Sequence, residues 1–326
     1  EDPRLRQTVT VKAKSGYASG DIGGTAKYSA SYGNALRFGF SLDNDAGEEL
    51  RDGWKPDFIS AYFCADGPGL LTRLLIGDYT VRAGQGLALW KSFRMSVFGA
   101  PASVARIPRG VQPYTSNDEA DFFRGVAATL RAGKGEVALF ASGNALDARI
   151  VGDTAYTSIV TDGYHRTESE IAKRRTMREY VAGACWTGEF QRIRCGVTAL
   201  AYRYDKENGR TVKDYNRYQM YYGWWGNVSA DIYCFFHDFR LFGEAAVDAG
   251  GSPAMIAGAV WSPGYDLETS ALVRAYSRSY IATHSGAYSS LSSCADQHGL
   301  TLSAKWIPAS HWTLSGNAEY SYYQWS

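Results

Sequence analysis

The sequence lacks any long apolar run. The longest, Ala254–Trp261, is far shorter than the ~18 consecutive apolar residues that indicate a membrane-spanning helix. An excess of one charge is also lacking, because 34 Lys and Arg balance 33 Asp and Glu; this balance excludes a strongly basic nucleic-acid coat and an acidic disordered tail. Proline is scarce, with 9 residues among 326, whereas 14% of the chain is aromatic and only 21% is charged. This composition predicts an ordered chain.

Motifs for metal binding and catalysis are lacking as well. The five cysteines include no C-x-x-C pair, which excludes zinc ribbons and thioredoxin-type sites; we interpret them as free side chains on strands, with a structural disulfide as the alternative. No H-E-x-x-H, G-x-S-x-G or P-loop motif occurs, and Gly84-Gln85-Gly86 is a lone G-x-G. We therefore predict no catalytic residue, metal or cofactor. His237-Asp238 could serve a barrel hydrolase at its rim, but a hairpin turn is the simpler interpretation.

What the sequence does contain is a period of two. In Leu36–Asp43 and in Trp312–Tyr322, apolar side chains alternate with polar ones, which places each set on one face of a β-strand. Several such segments run for ~9–12 residues, whereas a globular strand averages ~5–6. A tilted strand needs ~9–11 residues to cross a membrane. The length therefore favours a membrane barrel over a soluble all-β fold, which stays as the alternative.

The spacing of turns and loops supports this prediction. Short turns are expected at Gly33-Asn34, Gly67-Pro68-Gly69, Gly133-Lys134-Gly135, Thr187-Gly188, Gly250-Gly251 and Pro263-Gly264, with long polar segments between other strands. Short turns at one end and long loops at the other are typical of bacterial outer-membrane barrels. We predict an all-β fold, a single transmembrane antiparallel up-and-down β-barrel over residues 1–326, with about 16 strands in a range of 14–18. A long loop, 147–176, should carry a short helix at Glu168–Arg175 that starts with a capping box between Thr167 and Glu170.

The polar strand faces carry charged side chains that are predicted to face the lumen. One such charge on the lipid face near the midplane would cost ~2–4 kcal/mol for Lys or Arg. We therefore expect a polar, water-filled lumen. The predicted lumen-facing charges are Lys12, Lys14, Lys27, Arg37, Arg192, Arg194 and Glu319, with Glu244 as a further candidate.

Residues 83–117 form a basic segment that is too long for a turn. We predict that this segment folds inward and constricts the lumen, giving it a positive potential that favours anions; a solvated basic loop is the alternative. The predicted constriction residues are Arg82, Lys91, Arg94, Arg106 and Arg109. The acidic loop Asp43–Asp57 is interpreted as a solvated loop, with calcium binding as its alternative, because its spacing does not fit an EF-hand.

Three segments together resemble the C-terminal barrel region of Bacteroidota outer-membrane proteins whose N-terminal half carries helix-hairpin-helix repeats. The segments are Gly77-Asp78-Tyr79 with Gly84-Gln85-Gly86-Leu87 and Leu89-Trp90; Arg109-Gly110 with Pro113-Tyr114-Thr115-Ser116 and Phe122-Phe123-Arg124-Gly125; and His165-Arg166-Thr167 with Ser169-Glu170 and Arg178-Glu179. The resemblance covers about residues 60–320. It implies a bacterial outer-membrane location and, through those repeats, DNA binding or uptake. No such repeat is visible in residues 1–326.

These observations lead to a first functional hypothesis of transport or translocation across the outer membrane through a partly plugged, basic lumen, with an anionic substrate or DNA. The alternative is a non-conducting barrel that anchors or scaffolds subunits of an envelope complex. A barrel enzyme with its site at the rim is a weaker alternative. The expected partners are outer-membrane lipid and lipopolysaccharide, together with other envelope proteins; binding of nucleic acid is left open, and no soluble cofactor is expected.

Overall fold

The computed structural model describes residues 4–15, 22–48, 55–91 and 100–324, and its regular structure is almost entirely β. The strands are β1 Leu5–Ser15, β2 Ile22–Tyr32, β3 Leu36–Asn44, β4 Phe58–Asp66, β5 Leu71–Arg82, β6 Gly110–Pro113, β7 Phe123–Ala132, β8 Gly135–Val151, β9 Ala155–Val160, β10 Met177–Phe190, β11 Ile193–Tyr204, β12 Glu207–Asn208, β13 Trp225–Phe236, β14 Phe239–Asp248, β15 Pro253–Trp261, β16 Leu267–Tyr276, β17 Gln297–Ala309 and β18 Trp312–Tyr322. No helix within the described ranges is long and apolar enough to cross a membrane.

The strands form one antiparallel up-and-down sheet. All strands except β6, β9 and β12 follow one another in a meander in which each pairs with the next in antiparallel register. The short strands β6, β9 and β12 join the same 18-stranded sheet at its rim and interior. The predicted all-β barrel architecture is confirmed: the sheet has 18 strands, and without β6, β9 and β12 the meander has 15, so both counts fall within the predicted range. Within the described ranges no register joins β1 to β18, and both of these strands are exposed along most of their length.

Alternation along the strands separates an apolar outer face from an inner face. In β3, Phe38 and Phe40 are 45% and 44% exposed, whereas Ser41 and Asp43 are buried. In β14, Phe239 and Leu241 are likewise exposed. A row of exposed apolar side chains along a sheet needs an apolar environment, because water penalises such a surface.

The two ends of the sheet differ as predicted. Turns of a few residues join the strands at one end, the turn end, at 33–35, 67–70, 133–134, 191–192, 237–238, 262–266 and 310–311. The loop end carries the long connections 161–176, 205–224 and 277–296. One turn prediction is wrong, because Thr187 and Gly188 pair within β10 and the turn lies at Gln191–Arg192, where Gln191 adopts a φ of 54°. The Gly250-Gly251 turn is short but lies at the loop end.

The loop helix begins where its capping box predicts. Thr167 and Glu170 form both hydrogen bonds of the box, so two backbone N–H groups at the helix start are satisfied. The helix α1 spans only Glu168–Ile171, however, and Arg175 already has a φ of 49°. The predicted end at Arg175 is therefore too late.

Candidate functional site

Strand β5 leaves the wall of the barrel at Gly77. This glycine has a φ of 103°, and a Cβ there would lie 2.2 Å from the carbonyl oxygen of Ala61, so only glycine fits. Up to Gly77 the strand pairs with β4, and it keeps its other wall partner, β7, through Tyr79; on the edge that β4 leaves, β6 pairs with Tyr79–Arg82. From residue 78 to 90 every residue is buried except the half-buried Arg82. A wall strand with lipid on one side cannot be buried on both faces, so this segment lies inside the barrel.

We use the name plug for residues 78–91, 100–113 and 277–288. Its apolar side chains, among them the fully buried Leu87 and Leu89, pack in two clusters against inward-facing side chains of the wall. The inward-facing side chains of the wall in these clusters include Val181, Leu200, Tyr202, Tyr233, Phe242, Ile256, Val260, Leu272 and Tyr276. The lumen beside the plug therefore holds a packed apolar core.

A carboxylate on the opposite wall fixes the tip of the plug. Glu244 lies on β14, which the meander separates from β5 by β7, β8, β10, β11 and β13. Its carboxylate accepts hydrogen bonds from the backbone N–H groups of Gln85 at 2.6 Å, Leu87 at 3.0 Å and Ala88 at 3.4 Å. Successive N–H groups that converge in this way form an anion-binding nest. The lone G-x-G motif thus binds a carboxylate of its own chain.

Further hydrogen bonds join the parts of the plug to one another and to the wall. The side chain of Gln85 bonds to the backbone of Arg106 in both directions, at 3.1 and 2.9 Å. The Tyr280 hydroxyl donates to the Leu87 carbonyl at 3.0 Å, and Arg194 of β11 donates to the Pro108 carbonyl at 3.2 Å. These bonds satisfy backbone groups that a buried loop would otherwise leave unpaired.

The expectation of a polar, wet lumen is wrong for the part that the plug occupies. Inward-facing Ile256 and Leu272 are 2% and 0% exposed, because the plug covers them. Polar inner faces remain on β1 and β18, where the side chains are exposed. Strand alternation alone does not distinguish a water-filled interior from one that an inserted segment fills.

Two of the predicted constriction residues that the structure describes contact the plug and the neighbouring loop. Lys91 donates to the Ala120 carbonyl at 3.0 Å, and the Arg106 guanidinium lies 4.7 Å from the centre of the Trp90 ring. Arg82 of β5 pairs across the strands with Gly110 of β6, the residue that follows Arg109. Arg94 lies outside the described residues.

The predicted lumen-facing charges are mostly paired with other groups. Lys14 forms ion pairs with Asp43 and Asp45, Arg37 with Asp66, and Glu319 with the buried Arg274. Lys27 donates to the Thr115 carbonyl at 2.7 Å and so touches the 114–122 segment. Lys12 is exposed on β1, and Arg192 lies in the exposed turn between β10 and β11 rather than on a strand. All five cysteines are free, and His237-Asp238 forms the turn between β13 and β14.

A cavity of about 700 Å³ opens above the plug at the loop end. Its wall is formed by the upper parts of β8, β10 and β11, its floor by Lys91 and residues 282–284, and its rim by residues 118–122 and 161–165. Glu179 and His284 are buried in it, at 3% exposure each. The volume lies within the range of ~300–1,000 Å³ that small-molecule sites occupy.

His165 connects three segments at the edge of this cavity. Its Nδ1 lies 2.5 Å from Asp57 and its Nε2 lies 2.6 Å from Asp147, and its backbone N–H donates to Glu48. Burial alone would lower the pKa of His165, but the hydrogen bond and charge of Asp147 outweigh it and raise the pKa. The ring therefore favours the imidazolium form, which donates from both nitrogens.

Three residues of this network also have the spacing of a candidate metal site. Glu48, Asp57 and His165 bring one ligand atom each to within 4.8 Å of one another. Both ring nitrogens of His165 already face carboxylates, however, and Arg174 forms a further ion pair with Asp57. Asp57 therefore already has positively charged partners. The described residues of this cluster form an ion-pair network, and calcium binding by the acidic loop stays a prediction; Glu49 and Asp52 lie outside the described residues.

Scans of protein-family models and of curated proteins found no match to this chain. Solved structures of similar architecture include a loop-deletion mutant of OmpT, an outer-membrane protein of Vibrio cholerae, at 10% identity, with a TM-score of 0.41, covering 98% of this chain and 94% of that one. A triple mutant of the Rhodopseudomonas blastica porin has 11% identity and a TM-score of 0.34, covering 97% and 93%. Similarities at this level carry no information on activity, and the all-β architecture rests on the strand pairing described above.

Proposed function

We propose that the protein is a bacterial outer-membrane β-barrel that does not conduct, because its own plug closes the lumen, and that it acts at its loop end as a binding and anchoring platform for envelope components. The observation that supports this proposal most directly is that every residue from 78 to 90 except Arg82 is buried. Moving Leu87 and Leu89 out of the lumen would expose two fully buried side chains, each at a cost of ~1.5–3 kcal/mol. The three N–H groups that face Glu244 would lose their acceptor as well.

A second candidate function, transport beside the plug, is favoured by two observations. Ile107 at the far end of the plug is 64% exposed, and Arg109 next to it is exposed too. The inner faces of β1 and β18 are polar and exposed. A passage along these strands would carry positive groups from Arg109 and Lys12, which would favour anions.

Conductance in planar lipid bilayers distinguishes the two functions. We expect the wild-type barrel to show no steady conductance. A variant in which a two-residue Asn-Gly turn replaces residues 83–109 should form a stable channel, because Arg82 and Gly110 are cross-strand neighbours that such a turn can join.

Steady conductance of the wild-type protein would overturn the closed-lumen proposal. In that case the ion selectivity of Arg109→Gln tests the transport function: a fall in anion preference supports it, and unchanged selectivity contradicts the role of the basic residues.

A further inference from the structure

The loop-end cavity contains a histidine without a hydrogen-bond partner. Both ring nitrogens of His284 are buried and unpaired, although its ring packs edge-on against Tyr202 and Phe123 with centroid distances of 4.9 and 5.3 Å. Burial lowers the pKa of His284 to about 4, with Glu179 opposing the shift. At neutral pH the imidazole is therefore neutral and offers one acceptor nitrogen and one donor N–H. A buried polar group without a partner costs ~1–3 kcal/mol unless a ligand or water pairs with it.

Beside this histidine lies a buried carboxylate that also lacks a full partner. Glu179 Oε1 is 3.5 Å from His284 Nε2, which is too long for a good hydrogen bond. Among the described residues no lysine or arginine forms an ion pair with Glu179. A buried carboxylate requires a counter-ion or strong hydrogen bonds.

The remaining lining is acidic. The carboxylates of Asp118, Glu119, Asp121, Asp147 and Glu179 outnumber by one the positive side chains of Lys91, Arg124, Arg175 and the His165 imidazolium, and Asp147 is already paired with His165. Arg124 is already paired with Asp78, which lies outside the cavity. Burial raises the pKa of Glu119 to about 7, so this carboxyl would gain from a cation placed next to it.

Aromatic rings complete the lining. Phe58, Phe122 and Tyr204 border the cavity, and the Arg124 guanidinium already lies 5.2 Å from the centre of the Phe122 ring. Aromatic faces attract organic cations, with a gain of ~0.5–2 kcal/mol. An inorganic metal ion gains less from this lining, because Glu179 and His284 provide only two ligands and Lys91 lies nearby.

We propose that this cavity binds a small organic cation with primary ammonium groups, of the linear polyamine type, with Glu179 as its counter-ion and His284 as a hydrogen-bond acceptor. The spread of carboxylates from Glu179 on the wall to Asp118 and Asp121 on the rim suits a ligand with more than one ammonium group. The proposal rests on the function proposed above, since it names the ligand class of the loop end.

Titration calorimetry of the refolded full-length chain in detergent micelles, with spermidine as the probe, tests the site. We expect saturable binding at pH 8 and a several-fold weaker affinity at pH 6, because Glu119 is protonated there. Glu179→Gln keeps the shape of the side chain and should weaken binding at least tenfold. Asp153→Asn, at an exposed position of another loop, is the matched control and should bind like the wild type.

Equal affinity of Glu179→Gln and wild type, or no binding of spermidine by the folded barrel, would overturn the proposal. Preference for Mg²⁺ or Zn²⁺ over spermidine would overturn it too, in favour of a metal site. The outcome is independent of the conductance measurement, so the failure of the amine site and the failure of the closed lumen are distinguishable.

Discussion

Gly84 is the residue on which the tip of the plug depends. It adopts a φ of 53°, and a Cβ there would lie 2.6 Å from Oε2 of Glu244. The close approach lets the carboxylate enter the nest of N–H groups. Any larger residue would push Glu244 away from the three donors that it satisfies.

Gly84→Ala should therefore destabilise the plug by more than the left-handed backbone conformation of residue 84 alone would cost. Gly152→Ala is the matched control, because Gly152 has a similar φ of 63° and open space around the added Cβ. In both variants alanine must adopt the left-handed conformation, which lowers the free energy of unfolding by ~1–2 kcal/mol. In Gly84→Ala this free energy should fall by about 2 kcal/mol more, because the hydrogen bonds to Glu244 are displaced.

The readout is limited trypsin digestion at Lys91, Arg106 and Arg109, together with urea unfolding. Faster cleavage in Gly84→Ala alone is expected. Equal cleavage in the two variants would show that the carboxylate does not fix the plug.

At the scale of elements, His165 joins the end of β8 to the 45–57 and 161–167 segments. The groups around it are Asp57, Asp147, Glu48 and Glu119, with Arg174 on Asp57. Its pKa is raised in the folded state, so its contribution to stability is fully present below the unfolded pKa of ~6.5 and is lost as the pH rises through the folded value.

His165→Asn should therefore lower the thermal unfolding midpoint most at pH 6 and least at pH 9. The control is His311→Asn, since His311 is exposed in the turn between β17 and β18 and should show no pH-dependent difference from wild type. If His165→Asn lowered the unfolding midpoint equally across this pH range, the proposed stabilisation by the charged His165 ring would be contradicted.

The strands and the turn-end pattern could be predicted from the sequence because they depend on local alternation. Trp312–Tyr322 alternates without interruption and forms β18 within those same bounds. The start of the loop helix was equally local, since Thr167 and Glu170 lie three residues apart. The turn at Gln191–Arg192 was missed because it contains no glycine, and Gln191 takes the left-handed conformation itself.

The site was less accessible to sequence reasoning, because it depends on contacts between distant residues. Glu244 and Gln85 are 159 positions apart, and nothing local to either predicts that they meet. Glu179 and His284 are likewise distant in the sequence, and nothing local to either predicts that they meet. A signal for the plug does exist in the sequence: Ala254–Trp261, the longest apolar run, falls within β15, where Met255 is exposed outside and Ile256 and Val260 are buried inside. A strand that is apolar on both faces indicates a filled lumen.

The whole molecule is a barrel with two apolar surfaces, one on the outside of the wall and one inside the lumen. The outer one is the row of exposed side chains on the wall, and the inner one is the core between wall and plug. The inner core packs the plug against the wall, whereas the outer surface requires an apolar environment such as lipid. The two can be tested separately, because each residue of a strand belongs to only one of them.

The lipid-facing surface is tested by a charge on the outer wall. Val197 lies near the middle of β11 and is 45% exposed on the outer face, and Val212 in the 205–224 loop is 54% exposed. In lipid vesicles, Val197→Lys should lower the free energy of unfolding by ~2–4 kcal/mol, because lysine near the bilayer midplane is costly. Val212→Lys, with the same change of chemistry in an exposed loop, should leave it within ~0.5 kcal/mol of wild type. If the two lysines had the same small effect, the exposed apolar row would not lie in a membrane, and the all-β sheet would have to be covered in another way.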